Sequence, residues 1–502
     1  MSYKDQLSDL ARDSERSLTQ QLVDTITAAI ESGELGPEGK LPPTRELAEL
    51  AGVNHLTAVR AYRRLRELGL VTAHVGRGTF VRGAGRPPET SRVRDSIAWQ
   101  RYALPEYEPT YSDQVLAEMH RQATTEDLIA LSVGYPSATL FPIEEIREAT
   151  DQLLREQPDR ALQYSDVQGV PELREQIAAL SASRGAPEDV RDIICTTGAS
   201  QALALATRAI VRPGDVVACE EPSFMSVLRA LRTPPGVRIR GVPVDEDGLD
   251  IDALEALLAR EEIRLLALQP RLHNPTGRDL IPERRERLLA LARRHGFFVI
   301  EDGIYADLRF VGDSPPSLRS EAPANVIYCD SLSKTVSGGV RAGWVAASGP
   351  IVDRIIAEKR GDDIHSPSLT QLVVARYLAT GAYPTQAERA RRFYRDQCEH
   401  LIAAVEDELG SIATWVDPLG GGHLWVTLDL SVDERELADE ALRQGVAYAP
   451  GGAMRIERSR DLSLRLSFGY LEPDEMREGV RRFARAVERV RSRAPRAEAV
   501  PV

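Results

Sequence analysis

Cysteine is scarce in this chain of 502 residues. The four present, Cys195, Cys219, Cys329 and Cys398, lie far apart without a CxxC pair, and the eight histidines do not gather near them. Neither a disulfide framework nor a zinc site is suggested, and the chain reads as a reduced, cytoplasmic protein. Long apolar runs are missing too. None approaches the roughly 18–20 residues that a membrane span needs, and the opening MSYKDQLSDLARD is polar rather than signal-like. Positive charge is not in excess either. A formal net charge of −13 argues against bulk nucleic-acid affinity, so any DNA binding depends on where the basic residues sit. What is present is ample core material, 42% hydrophobic, in a length that implies roughly three domains.

The first 82 residues carry helical punctuation. Ser17 and Gln20 make a capping-box start, and Leu18, Leu22, Ile26 and Ile30 then recur at helical spacing up to Gly33. After the turn LGPEGKLPP, Thr44 can cap a short helix RELAELA ending at Gly52, and Asn54 can cap another from His55 to Leu68. Two short helices joined by GVN read as helix-turn-helix. On the second, Val59, Tyr62, Leu65 and Leu68 make the expected core face, leaving His55, Thr57, Arg60, Arg63 and Arg64 outward or at the N-terminal end, as a major groove would require. LVTAHV and TFV, joined through Gly76-Arg77-Gly78, read as a hairpin wing with Arg77 at its tip, near phosphates on bound DNA. Solvated arginines on a protein-binding winged helix are the plainer alternative.

In LPPTRELAELAGV (41–53), TAVRAYRRLRELGLV (57–71) and GRGTFV (76–81), the segment resembles the GntR family of DNA-binding domains. The resemblance implies DNA contacts from Arg45, from His55, Thr57 and Arg60 at the recognition helix, and from Arg77 on the wing. It also marks a departure: Asn54-His55 stands where the family usually has Ser-Arg, at the position of the phosphate or base contact that the arginine would supply.

Gly83 to about Pro109 has Gly-Ala-Gly, Pro-Pro and mixed charge without sustained periodicity, the signature of a connector. Fully extended it reaches at most roughly 90 Å. Trp99, Tyr102, Tyr107 and Tyr111 indicate that part of it packs on a surface. Beyond residue 127, apolar strands at 192–197, 216–221, 264–270, 297–302 and 326–331 alternate with amphipathic helices, the pattern of an α/β fold with a mainly parallel sheet.

Every chemically suggestive residue then falls at the C-terminal end of a strand, where such sheets bind ligands. Gly198-Ala199-Ser200-Gln201 lies between a strand and a helix, where free N–H groups suit a phosphate, although a plain turn is equally simple. Phe224 can stack on an aromatic ring or belong to the core. Asn274 before Pro275 can set its amide beside a ligand hydroxyl, or mark an ordinary turn. Asp302 ends a very apolar strand and therefore needs a cationic partner, for which a protonated pyridine nitrogen would serve. Tyr305 can donate to the same ring's phenolic oxygen. Lys334, in a Ser/Thr/Gly-rich loop, can be desolvated enough to form a Schiff base, against the alternative of a surface lysine. Ser331, Ser333 and Arg341 offer phosphate contacts, and Arg465 a fork for a carboxylate or a structural ion pair.

From LSVGYPSATLFP (131–142) to the C-terminal helix near Arg491, the order and spacing of SLSKT, HNPTG, EDGIY and RLSF resemble the fold-type I pyridoxal-phosphate enzymes of aminotransferase class I/II. The resemblance implies Lys334 as the Schiff-base lysine, Asp302 as partner of the pyridine nitrogen, and Asn274 and Tyr305 as contacts to the ring oxygen. It makes Ala199, Ser200, Ser331, Ser333 and Arg341 the phosphate cup, Phe224 the stacking ring and Arg465 the carboxylate clamp. Gly134 would line the substrate side, and Tyr164 in QYSDVQG would reach the phosphate of a neighbouring subunit.

The fold class expected is multidomain: an N-terminal winged helix-turn-helix plus an α/β pyridoxal-phosphate transferase fold of type I. The expected boundaries are 14–82 for the winged helix, 83–126 for the linker, 127–349 for the large domain with its mainly parallel sheet, and 350–495 for a smaller C-terminal α/β domain. This arrangement resembles the MocR subfamily of transcriptional regulators. It implies a homodimer with exchanged winged helices, binding double-stranded DNA, pyridoxal 5′-phosphate and an amino-group effector, with no metal. The rival expectation is an active aminotransferase with an accessory DNA-binding domain, since the set Lys334, Asp302, Asn274, Tyr305 and Arg465 is complete.

Overall fold

The computed structural model of this protein describes residues 3–8, 10, 17–36, 39–68, 70–74, 78–81, 109–457, 459 and 461–493. It divides into two units, Met1–Glu108 and Pro109–Val502. In the first, helices Tyr3–Leu7, Leu18–Glu31, Thr44–Leu50 and His55–Glu67 precede strands β1 (Val71–His74) and β2 (Gly78–Val81), which pair antiparallel with Val71 opposite Val81. Ser17 accepts the Gln20 N–H at 3.2 Å and Asn54 Oδ1 accepts the Leu56 N–H at 2.9 Å, so both helices start at their expected caps. Gly39 and Leu41 exchange backbone bonds with Val81 and Thr79 and widen the wing by one short strand.

Three details differ from the sequence reading. The buried face of His55–Glu67 runs through Ala58, Ala61, Tyr62 and Leu65, whereas Val59 is half-buried and Leu68 is 48% exposed. That seam keeps the i, i+3, i+4, i+7 spacing, and its alanines let neighbouring elements approach more closely than valine or leucine would. Pro43, not Thr44, occupies the cap position of Thr44–Leu50, and the Thr44 hydroxyl instead lies 3.3 Å from His55 Nε2, tying the two helices of the motif together. The polar opening segment also folds: Tyr3 and Leu7 are buried with Leu22, Ile26 and Leu65 in one core.

In the second unit the strands are β3 (Ile129–Ala130), β4 (Ile193–Thr196), β5 (Val216–Glu221), β6 (Arg238–Asp245), β7 (Gly248–Leu249), β8 (Ile263–Leu268), β9 (Phe298–Asp302), β10 (Val326–Ser331) and β11 (Gly343–Ala346), then β12 (Ala413–Trp415), β13 (His423–Leu428), β14 (Val446–Ala447), β15 (Ala449–Pro450) and β16 (Leu462–Ser467). Eight of them form one sheet in the order β4-β11-β10-β9-β8-β5-β6-β7. The run β10-β9-β8-β5-β6 is parallel, while β11 is antiparallel to both its neighbours. Helices cover both faces of this sheet. That explains why β4 and β10 are buried at every residue and read in the sequence as unbroken apolar runs.

A second, four-stranded antiparallel sheet, β12-β13-β16-β15, packs against helices Tyr383–Leu409, Glu434–Arg443 and Pro473–Arg493. The change from one layer to the other falls later than residue 350. Ile351, Val352 and Ile355, and then Leu372 to Ala387, are buried with the large sheet's strands, and past residue 350 it is from Ala390 onward that the chain enters the core of the smaller sheet, which Leu131, Leu140, Leu272, Tyr305 and Leu308 also share. The expected linker 83–126 also ends early, because helix Tyr111–Gln122, started by a capping box of Thr110 with Asp113, packs within this unit. Trp99, Tyr102 and Tyr107 lie outside the described residues.

Leu65→Ala should remove about 2–5 kcal/mol from the N-terminal unit by opening a cavity in its core, whereas Val59→Ala should cost under about 1 kcal/mol. Calorimetry of the full chain should show the Leu65 variant lowering one unfolding transition while that of the larger unit stays in place.

Candidate functional site

The C-terminal ends of β4, β5, β9 and β10 converge on a cavity of about 520 Å³. Its wall includes Gly134, Ala199, Ser200, Phe224, Tyr305, Ser331, Ser333, Lys334, Arg341 and Arg465, which come from widely separated motifs. Among the described residues lining it there are three permanent cations or amines, Lys334, Arg341 and Arg465, and no carboxylate.

Lys334 is placed by the loop after β10, where the Leu332 N–H bonds back to the Ala342 carbonyl and the Val336 N–H to Leu332. Its Nζ donates to the Gly134 carbonyl at 2.6 Å and stands 5.9 Å from the centre of the Tyr305 ring. Burial, with Arg465 nearby, lowers its pKa to about 8 despite the opposing charge of Asp302. Such an amine is neutral in an appreciable fraction at neutral pH, the state a nucleophilic lysine requires.

Asp302 and Asn274 lie just behind this wall. Asp302 is buried, accepts from Gln269 Nε2 at 2.9 Å and the Ile304 N–H at 3.2 Å, and forms no ion pair among the described residues. Desolvation accordingly raises its pKa to about 7. Asn274 Oδ1 accepts from Arg465 Nη1 at 3.2 Å, while its Nδ2 is buried without a partner among the described residues. Arg465 is 1% exposed, donates Nη2 to the Ser132 carbonyl at 2.8 Å, and lies 6.0 Å from the Phe224 ring. It too forms no ion pair among the described residues, and desolvation lowers its pKa to about 10, so it remains charged. A buried guanidinium without an anion is costly unless a ligand supplies one.

At the opposite end, helix Ala199–Ile210 begins after Gly198, whose φ of 113° only glycine adopts readily. A Cβ there would also come within 2.7 Å of the Arg341 guanidinium. The unpaired N–H groups of this helix start thus lie beside Arg341, Ser331 and Ser333, an arrangement suited to a phosphate.

Tyr164 is the exception: it is 79% exposed, sits edge-on to His365, and does not line the cavity of its own chain. The sequence reading missed His423, whose imidazole lies between Tyr305 and Ser467, and Gln269, which holds Asp302. It also missed an apolar wall of Leu116, Met119, Tyr135, Phe141 and Ile304. The Thr110-x-x-Asp113 capping box was the available signal for the helix that supplies Leu116 and Met119.

In the N-terminal unit, Arg45, His55 and Arg60 are exposed, and Thr57 is half-buried at the start of its helix. Arg77 lies outside the described residues.

Lys334 gives a stability prediction. Its depressed pKa penalises the folded state fully below pH 8, where both states are protonated, and the penalty vanishes as pH rises through 8 toward the ordinary 10.5. Ligand-free Lys334→Met should therefore be more stable than the parent at pH 7, by about 1–3 kcal/mol. Thermal unfolding should show that advantage shrinking toward pH 10.

Residues 126–483 match the family model for aminotransferase class I and II, and residues 18–81 match that for bacterial regulatory proteins of the gntR family. The 2-aminoadipate transaminase of Thermus thermophilus is 35% identical over 377 residues, 74% of this chain and 93% of its own. The probable rhizopine catabolism regulatory protein MocR of Rhizobium meliloti is 28% identical over 476 residues, 94% of both chains. The crystal structure of LysN, the alpha-aminoadipate aminotransferase of Thermus thermophilus, complexed with N-(5′-phosphopyridoxyl)-L-leucine, superposes with a TM-score of 0.70 at 33% identity, covering 75% of this chain and 95% of that one. Pyridoxal phosphate is the cofactor of this scaffold, and the cavity fits it: a carboxylate without a cation, an amide without an acceptor, a poised amine and a helix start beside an arginine. The chain belongs to the aminotransferase class I and II family and, with its gntR-family domain at the N-terminus, is a regulator of the MocR type.

Proposed function

We propose that this protein is a pyridoxal-phosphate-dependent, DNA-binding transcriptional regulator of the cytoplasm whose aminotransferase-like unit senses the cofactor or an amino-group effector. The observation that carries the reading is the pairing of an amine, Lys334, with a buried and anion-free guanidinium, Arg465, in one cavity of a chain that also holds a winged helix.

In this reading Lys334 anchors the cofactor covalently and Asp302 holds a proton on its ring nitrogen. Asn274 and Tyr305 face the ring oxygen, Phe224 stacks on the ring, and Ala199, Ser200, Ser331, Ser333 and Arg341 bind the phosphate. When bound, pyridoxal phosphate supplies an aldehyde carbon open to amines and a ring that withdraws electrons. Arg465 takes the effector's carboxylate beside Gly134, and Leu116, Met119, Tyr135 and Phe141 favour an apolar remainder. Exposed Tyr164 is then the residue offered to a neighbouring subunit's phosphate in a homodimer. Arg45, His55, Thr57, Arg60 and Arg77 contact DNA.

A ligand alters DNA binding only if it favours one of two conformations of the dimer, and couplings of this kind are about 1–3 kcal/mol, or roughly 5- to 150-fold in affinity. The alternative, an active transaminase, is favoured by the completeness of Lys334, Asp302, Asn274, Tyr305 and Arg465. Binding of the full chain to its own upstream DNA, against a scrambled duplex at near-physiological salt, should change at least fivefold with pyridoxal phosphate or an amino acid, and Lys334→Ala should abolish the change. Repeated turnover of an amino acid with a keto acid, without any ligand effect on DNA, would decide for the enzyme.

A further inference from the structure

His423 is the first residue of β13, directly after the glycines at 420–422, and its side chain enters the cavity between Lys334, Tyr305 and Arg465. No motif drew attention to it, yet the surrounding structure is fitted to its ring. A Cβ on Gly134 would come within 2.6 Å of His423 Cε1, so the glycine whose carbonyl receives Lys334 also makes room for this imidazole. Its Nε2 lies 2.8 Å from the Tyr305 hydroxyl and its Nδ1 3.0 Å from Ser467 Oγ.

The far end of this chain fixes its direction. Ser467 Oγ lies 3.4 Å from the Ser132 carbonyl, which can only accept and already receives Arg465 Nη2. Ser467 therefore donates to Ser132 and presents a lone pair to His423, which donates through Nδ1–H and leaves Nε2 bare. The reverse order would set oxygen lone pairs against each other between Ser467 and Ser132. A doubly protonated ring is excluded on separate grounds, since burial with Arg465 and Lys334 nearby drives the His423 pKa well below its ordinary value. A bare Nε2 at 2.8 Å takes the Tyr305 hydrogen.

We propose that His423 is a positioning residue that captures the Tyr305 hydroxyl hydrogen, so that Tyr305 does not donate it to the cofactor's ring oxygen and Asn274 Nδ2 is left as the donor there. The inference rests on the cofactor-binding reading given above. Its consequence concerns the nitrogen that joins Lys334 to the cofactor. A hydrogen bond donated to the ring oxygen stabilises its negative charge and eases loss of the neighbouring nitrogen's proton. With Tyr305 committed elsewhere, that proton is held to higher pH. The charged and titratable groups around the pair are Lys334 and Arg465, which face both residues, Asp302, which acts on Tyr305, and Tyr394, which Tyr305 acts on. All four are unchanged by substitution at 423.

The test is the pH titration of the visible band of the cofactor-loaded full chain. His423→Phe removes the acceptor and frees the Tyr305 proton, so the midpoint should fall by roughly one pH unit, the equivalent of one hydrogen bond. Tyr305→Phe in the parent should leave the midpoint nearly where it was, because its proton was not in use at the ring. His423→Gln, which can accept from Tyr305 and donate to Ser467, should restore the parental midpoint. An unchanged or raised midpoint in His423→Phe, or a rise of a full unit in Tyr305→Phe, would overturn the proposal. Should His423→Phe not fold, Tyr305→Phe alone decides. Failure of the parent to take up the cofactor would instead sink the cofactor-binding reading. The hydrogen-bond direction is then read from imidazole nitrogen-15 shifts of the ligand-free, histidine-labelled chain: a protonated Nδ1 on His423 supports it and a protonated Nε2 refutes it.

Discussion

The larger unit is organised around uncompensated charge at the C-terminal edge of a parallel sheet. Among the described residues, half-buried Lys334 and buried Arg465 line one cavity without a carboxylate, and buried Asp302 lies behind them without an ion-pair partner. Isolated burial of any one of these would be strongly unfavourable in a structure selected for stability alone. The surroundings tolerate them through hydrogen bonds: Gly134 and Ser132 carbonyls for the cations, Gln269 and the Ile304 N–H for the carboxylate. What remains unsatisfied corresponds group by group to a ligand with a carbonyl carbon, a basic ring nitrogen and two anionic ends.

The same logic explains why the sheet has its form. Strands β4, β5, β8, β9 and β10 are buried almost throughout, so only their ends can carry polar chemistry; the loops after β4, β5, β9 and β10 contribute to the cavity wall, and the loop after β8 places Asn274 behind it. The helix Tyr111–Gln122 adds a further constraint. It is the first helix of this unit after the connecting segment, and it contributes Leu116, Met119 and His120 to the cavity wall. A ligand that fills the apolar side therefore touches the element by which any change would leave the unit along the chain.

Much of this was legible in the sequence, and the limits have physical causes. Strand positions came out nearly residue for residue because burial on both faces writes itself as continuous apolar runs. Lys334, Asp302, Asn274 and Arg465 could be singled out because their settings are locally distinctive: a Ser/Thr/Gly loop, a charged end to an apolar strand, Asn before Pro, Arg within a strand. His423 and Gln269 were missed because their importance lies in partners far away in sequence, Tyr305 118 positions from one and Asp302 33 from the other. In the recognition helix, a core face built on Ala58 and Ala61 was hidden by the greater hydrophobicity of Val59 and Leu68. Tyr164 shows a different limit, since within a single chain it is an exposed aromatic, and the role proposed for it at a neighbouring subunit has no counterpart there.

In the proposed function, the cavity and the winged helix are thermodynamically coupled. Coupling is reciprocal: if a ligand in the cavity changes affinity for DNA by some factor, DNA must change affinity for the ligand by the same factor. The direct measurement is therefore the affinity of the full chain for pyridoxal phosphate, and then for an amino-acid effector on the loaded protein, with and without saturating operator DNA. A shift of roughly 5- to 150-fold, equal to that seen in the DNA isotherms, is the predicted result. Equal ligand affinity with and without DNA would show that the two units are joined only by the chain between them.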